Sequence, residues 1–424
     1  MENKRPIRLL LIANSISGVS QGISMLAIPW YFTGVIHDSN LFQSIYLATA
    51  IISLFWGLYA GTLVDRYSRK NLFLWMNVVG FFVLSTATVA GFFSGDYSWI
   101  WPMLVFATTV FIYNIHFPTL YGFAQEITAA KDYARVTSKL EIQGQFTWTI
   151  AGALGAVLLN GIEGKMNLLG WEVAVPFQFH AVPIHWIFGF DALTYLVSFV
   201  LIYRIKTIAV VDRNIDTADL LTRLKTGMNY LRKRPAIFVF GNASLFLFLC
   251  IIVQSTLVNP IYVSEFLHRG GDVYAMSDMV FSFGALLAGF WTTKVLGEHR
   301  TIRSIILLNG IAATLFMVLI WNQNLFLFFF CMFIIGMCNA AVRIQRVTYM
   351  FKTIPNDIIG RTGSVFFMLN VLFRLGLTML FAIPLFGHGE GVALTNAVLG
   401  ITCLTGALLI FVTRKELRLI KNDE

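Results

Sequence analysis

Charge is what this chain has least of. Only 12% of its 424 residues are Asp, Glu, Lys or Arg, against roughly 25% in a soluble domain. Cysteine is almost as scarce. Cys250, Cys331, Cys338 and Cys403 all lie in apolar runs without metal-ligand spacing, which argues against a disulfide framework or a zinc site. No glycine loop is followed by Lys-Ser/Thr, no His-Glu-x-x-His occurs, and no soluble stretch is large enough to hold a nucleotide. ATP-driven chemistry and metal-dependent hydrolysis are therefore disfavoured. The expectation is a protein that is not an enzyme and needs neither cofactor nor metal. The first apolar run also lacks a small-residue cleavage site, so it is expected to begin a membrane domain rather than to be removed.

What is abundant points the same way. The chain is 57% hydrophobic and contains 39 Phe, more than a water-facing surface can hide. Runs of about twenty nearly uncharged residues recur throughout, the length a helix needs to cross roughly 30 Å of hydrocarbon. In that medium only helices and closed barrels satisfy their backbone hydrogen bonds. The pattern predicts an all-α membrane protein with spans near 9–35, 42–63, 71–94, 99–125, 139–161, 186–204, 236–261, 273–296, 302–321, 324–348, 364–387 and 391–413. Formal net charge is +9, but the basic residues are dispersed at span ends. That distribution is membrane topology rather than nucleic-acid binding. Lys and Arg concentrate in every second gap, including Arg66, Arg69, Lys70, Lys131, Arg135, Lys139, Arg300, Arg303, Lys352 and Arg361. The positive-inside rule then puts both termini in the cytoplasm, and a bacterial inner membrane is expected.

The middle gap is polar and divides the chain into bundles at 1–205 and 236–424, joined by a linker at 206–235. Within it Leu220, Leu221, Leu224, Met228 and Leu231 recur at helical spacing, predicting an amphipathic helix. It is expected either on the inner membrane surface or as a solvated connector. The outer gap from Gly161 to His185 is long and carries Trp171, Phe177, Phe179, His180 and Pro183, residues that rest at an interface or form a lid. Ala134-Arg135-Val136-Thr137-Ser138 before span five is echoed by Gly360-Arg361-Thr362-Gly363-Ser364 before span eleven. Internal repeats of this kind recur in secondary transporters, with substrate held near mid-membrane.

The most specific string is Gly61-Thr62-Leu63-Val64-Asp65-Arg66-Tyr67-Ser68-Arg69-Lys70. Gly61 permits close helix approach, Asp65 can cap a facing helix N-terminus, and the basic trio suits an anionic inner leaflet. The string resembles the G-x-L-x-D-R-x-x-R-K loop of the major facilitator superfamily, every fixed position being present. That resemblance implies two pseudo-symmetric six-helix bundles and a conformational latch formed by Gly61, Asp65, Arg66, Arg69, Lys70 and Arg361. Asp65 would hold the start of span eleven and release it when the cytoplasmic side opens. The equivalent loop of the second half, Gly289 to Arg300, has Thr293 where an Asp would fall. Phe117-Pro118, Phe190-Asp191-Ala192-Leu193, Leu224-Lys225-Thr226-Gly227-Met228 and Gly360-Arg361 further resemble the macrolide-efflux and enterobactin-exporter branch. One departure is span five, where Ala151-Gly152-Ala153-Leu154-Gly155 keeps the small residues but lacks the proline of many drug/proton antiporters.

Polar groups at membrane depth are costly and point to function. Arg374 falls midway along span eleven with Asn370 one turn before it. Arg343 lies in span ten with Asn339 one turn before it. Arg346, nearer the end, is expected to snorkel. Asn14, Ser17, Gln21 and Ser24 form a stripe on span one, continued by His116 beside Asn114 in span four and by Gln145 in span five. A four-member stripe favours a water-filled cavity over isolated helix–helix bonds. The substrate-contact set is therefore Arg374, Arg343, Asn370, Asn339, Asn14, Ser17, Gln21, His116 and Gln145. Proton-coupling candidates are Asp191 first, then Asp278 and Glu141. Glu126 and Glu141 are expected to pair with Lys139, Arg135 or Lys131.

Deep cations outnumber deep acids, and Arg pairs bidentately with carboxylate, so an anionic cargo is expected. The sequence reads as a monomeric, proton-coupled exporter of a small organic molecule, such as a carboxylate siderophore or acidic metabolite, otherwise a drug, embedded among membrane lipids. Import of the same cargo is an alternative. So is a lipid or lysophospholipid flippase, suggested by the Phe content and the aromatic outer loop. A receptor that keeps the fold is the third.

Overall fold

The computed structural model describes residues 5–93, 97–128, 133–168, 171–205, 220–295 and 301–420. Its helices in chain order are α1 (Arg5–Trp30), α2 (Ser39–Arg66), α3 (Arg69–Phe93), α4 (Ile100–Glu126) and α5 (Tyr133–Asn160). Two strands follow, β1 (Ile162–Leu168) and β2 (Trp171–Phe179), then α6 (Ile184–Tyr203) and the linker helix α7 (Leu220–Arg232). Span seven is built in pieces: α8 (Pro235–Ala243), α9 (Phe246–Val253) and α10 (Asn259–Ile261), with π-helical turns at Gln254–Val258 and Tyr262–Phe266. The remaining spans are α11 (Gly271–Val295), α12 (Thr301–Leu319), α13 (Leu325–Thr353), α14 (Asn356–Phe381) and α15 (Glu390–Ile420). Among the described residues, eleven helices are long and apolar enough to cross a membrane. The other expected span, α11, is 25 residues long, or roughly 37 Å at 1.5 Å per residue.

Several helices outrun the apolar runs that predict them. α5 begins at Tyr133 rather than 139, α14 at Asn356 rather than 364, and α15 continues to Ile420. Hydropathy marks where a helix meets hydrocarbon, whereas its i→i−4 bonds can persist into water. The echo segments before spans five and eleven consequently lie inside helices.

Two compact units result. One comprises Met1–Asn167, Glu172–Asp216 and Gly270–Met279; the other comprises Leu168–Trp171, Thr217–Arg269 and Val280–Glu424. The first unit buries Leu10, Phe73, Met76, Leu120, Phe123 and Ile202 in a continuous core. Its flank carries Phe55, Trp75, Phe82 and Phe93, each more than half exposed, and the second unit likewise exposes Trp321 and Phe326. Aromatic surface on that scale is foreign to a soluble monomer and suits lipid contact. This is a multi-pass membrane protein.

A repeat that the sequence reading missed appears at the ends of spans one and seven. Pro29-Trp30-Tyr31-Phe32-Thr33-Gly34-Val35-Ile36-His37 corresponds to Pro260-Ile261-Tyr262-Val263-Ser264-Glu265-Phe266-Leu267-His268. Each segment closes in a π turn, with Ile36 N donating to Tyr31 O (2.9 Å) and Leu267 N to Tyr262 O (3.0 Å). Each then places its histidine in the left-handed region, at φ 53° for His37 and 51° for His268. The paired tyrosines make equivalent anchors. Tyr31 OH donates to Tyr97 O at 2.8 Å, and Tyr262 OH to Leu319 O at 2.7 Å. Proline ahead of a π turn interrupts the regular ladder, which explains why both spans change pitch there.

The linker helix is held against the rest of the second unit. It packs on the start of α14, with Leu231 fully buried. A Cβ on Gly227 would lie 2.4 Å from the Arg361 carbonyl oxygen, so only glycine allows this approach. Gly227→Leu is expected to lift α7 away, at a cost of roughly 1–3 kcal/mol for overpacking. The measurement is thiol labelling of Leu231→Cys, which should become fast only in the Gly227→Leu background. The four native cysteines are buried and leave a low baseline. Residues 206–219 of the predicted linker lie outside the described residues, as do Lys131 and Arg300. The outer gap, expected to carry interfacial aromatics, is a two-stranded hairpin of β1 and β2. The side chains of Trp171 and Phe177 lie outside the described set, while Phe179 and His180 are exposed.

Candidate functional site

Helical periodicity on α1 sets Asn14, Ser17, Gln21 and Ser24 along one face, and the first unit folds around that face. Asn14, Ser17 and Gln21 line a cavity together with His116 and Tyr113 of α4, Asn77 of α3, Trp148 of α5 and Tyr195 of α6. Its volume is about 70 Å³, measured as space open to the centre of a water-sized sphere. A single water needs roughly 10–15 Å³ on that measure, so several waters or a small polar group fit. The predicted Gln145 is not among the lining residues; Gly144, Thr147 and Trp148 supply the α5 wall.

Hydrogen bonds tie this wall together. His116 Nε2 and Asn14 Oδ1 are 3.1 Å apart. Gln21 Nε2 donates to Tyr195 OH at 2.6 Å, and Ser24 Oγ donates to Asp191 Oδ2 at 2.7 Å. Thr194 Oγ1 lies 3.4 Å from Asp191 Oδ1. The Asp191 side chain is thus held by hydroxyl groups, with its residue 1% exposed. Asp191 and Tyr195 stand one turn apart on α6, and Tyr195 and Gln21 line the cavity. Tyr195, Tyr113, Trp148 and Asn77 were absent from the sequence-derived set. The i, i+4 spacing of Asp191 and Tyr195 on an otherwise apolar helix was the readable signal.

Asp278 sits on the part of α11 that belongs to the same unit. It is buried, and its Oδ1 has no hydrogen-bond partner among the described residues. Gly152 of α5 meets this segment closely: a Cβ there would lie 2.7 Å from Met279 N. The Glu141 side chain lies outside the described set.

In the latch string, α2 runs helically through Arg66, while the side chains of Gly61 and Asp65 lie outside the described set. The basic trio does not form one free cluster. Arg69 Nη1 binds Glu126 Oε1 at 2.8 Å, a partner fifty-seven residues away; the side chains of Lys131 and Arg135, two of its expected partners, lie outside the described set. Lys70 Nζ donates to Tyr203 O (2.9 Å) and Ile205 O (2.6 Å), capping the carbonyl end of α6. Arg66 alone of the three is exposed. Long basic side chains found orphan groups at neighbouring helix ends before they found lipid. Arg361, at the opposite end of the predicted latch, is half-buried beside Gly227.

In the second unit Arg374, Arg343 and Arg346 are half-buried, and Asn339 and Asn370 are buried. Asn370 Nδ2 has no partner among the described residues. Arg346 makes two contacts within this unit. Its Nη2 donates to Gly241 O on α8 at 3.3 Å, and its guanidinium lies 5.8 Å from the Phe366 ring centroid on α14.

Broken and continuous apolar spans, the repeated π-turn segments and a polar cavity inside one unit describe a transport fold. Residues 10–376 match the Major Facilitator Superfamily. The chain belongs to that superfamily. It is therefore a transporter rather than an enzyme, and superfamily members bind small-molecule substrates. Solved structures agree on the fold. A bacterial homologue of the iron transporter ferroportin, in an inward-facing state, superposes with a TM-score of 0.68 at 13% identity, covering 98% of this chain and 99% of that one. A peptide transporter POT variant bound to alafosfalin gives 0.69 at 14%, covering 98% and 95%. A D-xylose–proton symporter gives 0.65 at 13%, covering 96% and 97%. No curated protein matches the sequence. The comparisons thus reach the superfamily and stop short of a branch within it.

Proposed function

We propose that this superfamily member is a proton-coupled secondary transporter of the bacterial inner membrane, of the macrolide-efflux and enterobactin-exporter type. It alternates access and moves a small anionic organic molecule, of the carboxylate siderophore or acidic metabolite class, out of the cell. The observation that carries the reading is Asp191: a carboxylate 1% exposed, held by Ser24 and Thr194, one helical turn from Tyr195, which lines a polar cavity and accepts from Gln21. Uptake of a proton there removes a buried charge, and release restores one that must be solvated or paired. A group whose burial cost depends on its proton is what coupling requires. The anionic cargo is supported by Arg343, Arg346 and Arg374 in spans ten and eleven, where no Asp or Glu lies between Arg303 and Pro355 or between Ile358 and Gly389. Export is supported by the branch-like motifs around Asp191 and Gly227.

The test is flux in proteoliposomes containing the purified chain. With an imposed pH gradient, labelled carboxylates should move against the proton flow, while lipophilic cations should not. Carboxylate flux indifferent to the gradient would overturn coupling, and flux confined to cations or lysolipid would overturn the cargo.

A further inference from the structure

We infer that α8, α13 and α14 build an oxyanion-binding site centred on Arg346, with Asn370 as its second donor. It would take the carboxylate or phosphate group of a bound molecule. The inference rests on the anionic-cargo reading and gives that cargo's charged group a place.

Arg346 lies seven residues before the end of α13, roughly 10 Å into the helix. One of its donors has a structural use. At the break between α8 and α9, Leu245 N turns to Asn242 O at 2.9 Å, which frees the Gly241 carbonyl. Arg346 Nη2 reaches that oxygen at 3.3 Å, a long hydrogen bond. A guanidinium carries five N–H donors. Its Nε is buried without a partner, and no carboxylate within 4.0 Å pairs with Arg346 among the described residues. Buried charges ordinarily come paired. Here the pair is half made.

One neighbouring amide repeats the deficit. Phe366, Asn370 and Arg374 follow one another at four-residue intervals and share a face of α14. Asn339, Arg343 and Arg346 share a face of α13, and the Arg346–Phe366 contact joins the two. Asn370 Nδ2 is a second buried donor lacking an acceptor. Donors in excess, one of them charged, are complementary to an oxyanion, and the guanidinium fork matches carboxylate and phosphate.

The experiment uses the full-length protein in detergent, with thermal melting in citrate, inorganic phosphate or short-chain phosphatidic acid, each against chloride at equal ionic strength. Citrate or phosphate should raise the melting temperature saturably. Arg346→Gln should weaken that binding by on the order of 100-fold, the loss of two charge-assisted hydrogen bonds. Arg346→Lys should weaken it by about tenfold, through loss of the fork. Asn370→Leu leaves the Gly241 bond intact. It should weaken binding about tenfold while leaving the ligand-free protein as stable or more so, because an unsatisfied donor is gone. A purely structural Asn370 would instead lose stability and keep binding. A response confined to phosphatidic acid supports the site and assigns it to a lipid headgroup. No response to any of the three, or undiminished binding in Arg346→Gln and Asn370→Leu, overturns it. Carboxylate flux with wild-type binding in both variants would remove this site and leave the transport reading standing. Binding without flux would do the reverse.

Discussion

Asp191→Asn is expected to reduce gradient-driven flux to background while leaving the protein folded. Asparagine is the near-isostere of the protonated acid, so Ser24 keeps an acceptor where it now donates at 2.7 Å. The Gln21–Tyr195 bond that shapes the cavity wall does not involve the carboxylate. What disappears is the alternative ionised state. Without it the site has one charge condition, and no proton can be exchanged as access alternates. The consequence is specific. Wild-type flux should vary with pH on the side where Asp191 exchanges, whereas residual exchange by the variant should be flat. Substrate affinity should change only severalfold. Counterflow, which needs no net proton movement, separates the two functions. A variant that still concentrates substrate against a gradient would transfer the coupling role elsewhere, with Asp278 the next buried acid.

The parts of this molecule that were readable in the sequence are those governed by one helix and its solvent. Spans follow from hydrocarbon leaving the backbone no partner but itself, and the α1 stripe follows from a 3.6-residue period. Partnerships between distant residues were not readable. Arg69 with Glu126, and Lys70 with the end of α6, join positions 57 to 135 residues apart, and the sequence offers each base several equally charged choices. The fate of Arg346 was hidden for a different reason. Its partner is a carbonyl made available only by the break at Leu245, a backbone event with no side-chain signature. The Pro29–His37 and Pro260–His268 repeat was visible in letters, but the hydropathy signal swamped it.

Arg374→Ala is expected to abolish transport of an anionic cargo without harming insertion. A cation near the centre of a span opposes insertion by roughly 2.5–3.5 kcal/mol on translocon-derived scales. Removing it should leave membrane yield and melting temperature equal to wild type or higher. Affinity should move the opposite way. A bidentate carboxylate contact comprises two charge-assisted hydrogen bonds of about 1.5–3 kcal/mol each, so its loss weakens binding by on the order of 10² to 10⁴-fold. Arg374→Lys keeps the charge but not the planar fork and should fall between the two. Opposed changes in stability and affinity are the signature of a residue retained against the preference of the fold. Among the described residues Arg374 makes no ion pair, and its carbonyl accepts from Thr378 as any helical carbonyl can. Among the described residues, no ion pair or hydrogen bond of its side chain holds the fold. If Arg374→Ala transports carboxylates at the wild-type rate, the charge serves neither fold nor cargo. Recognition then passes to the donors on α13.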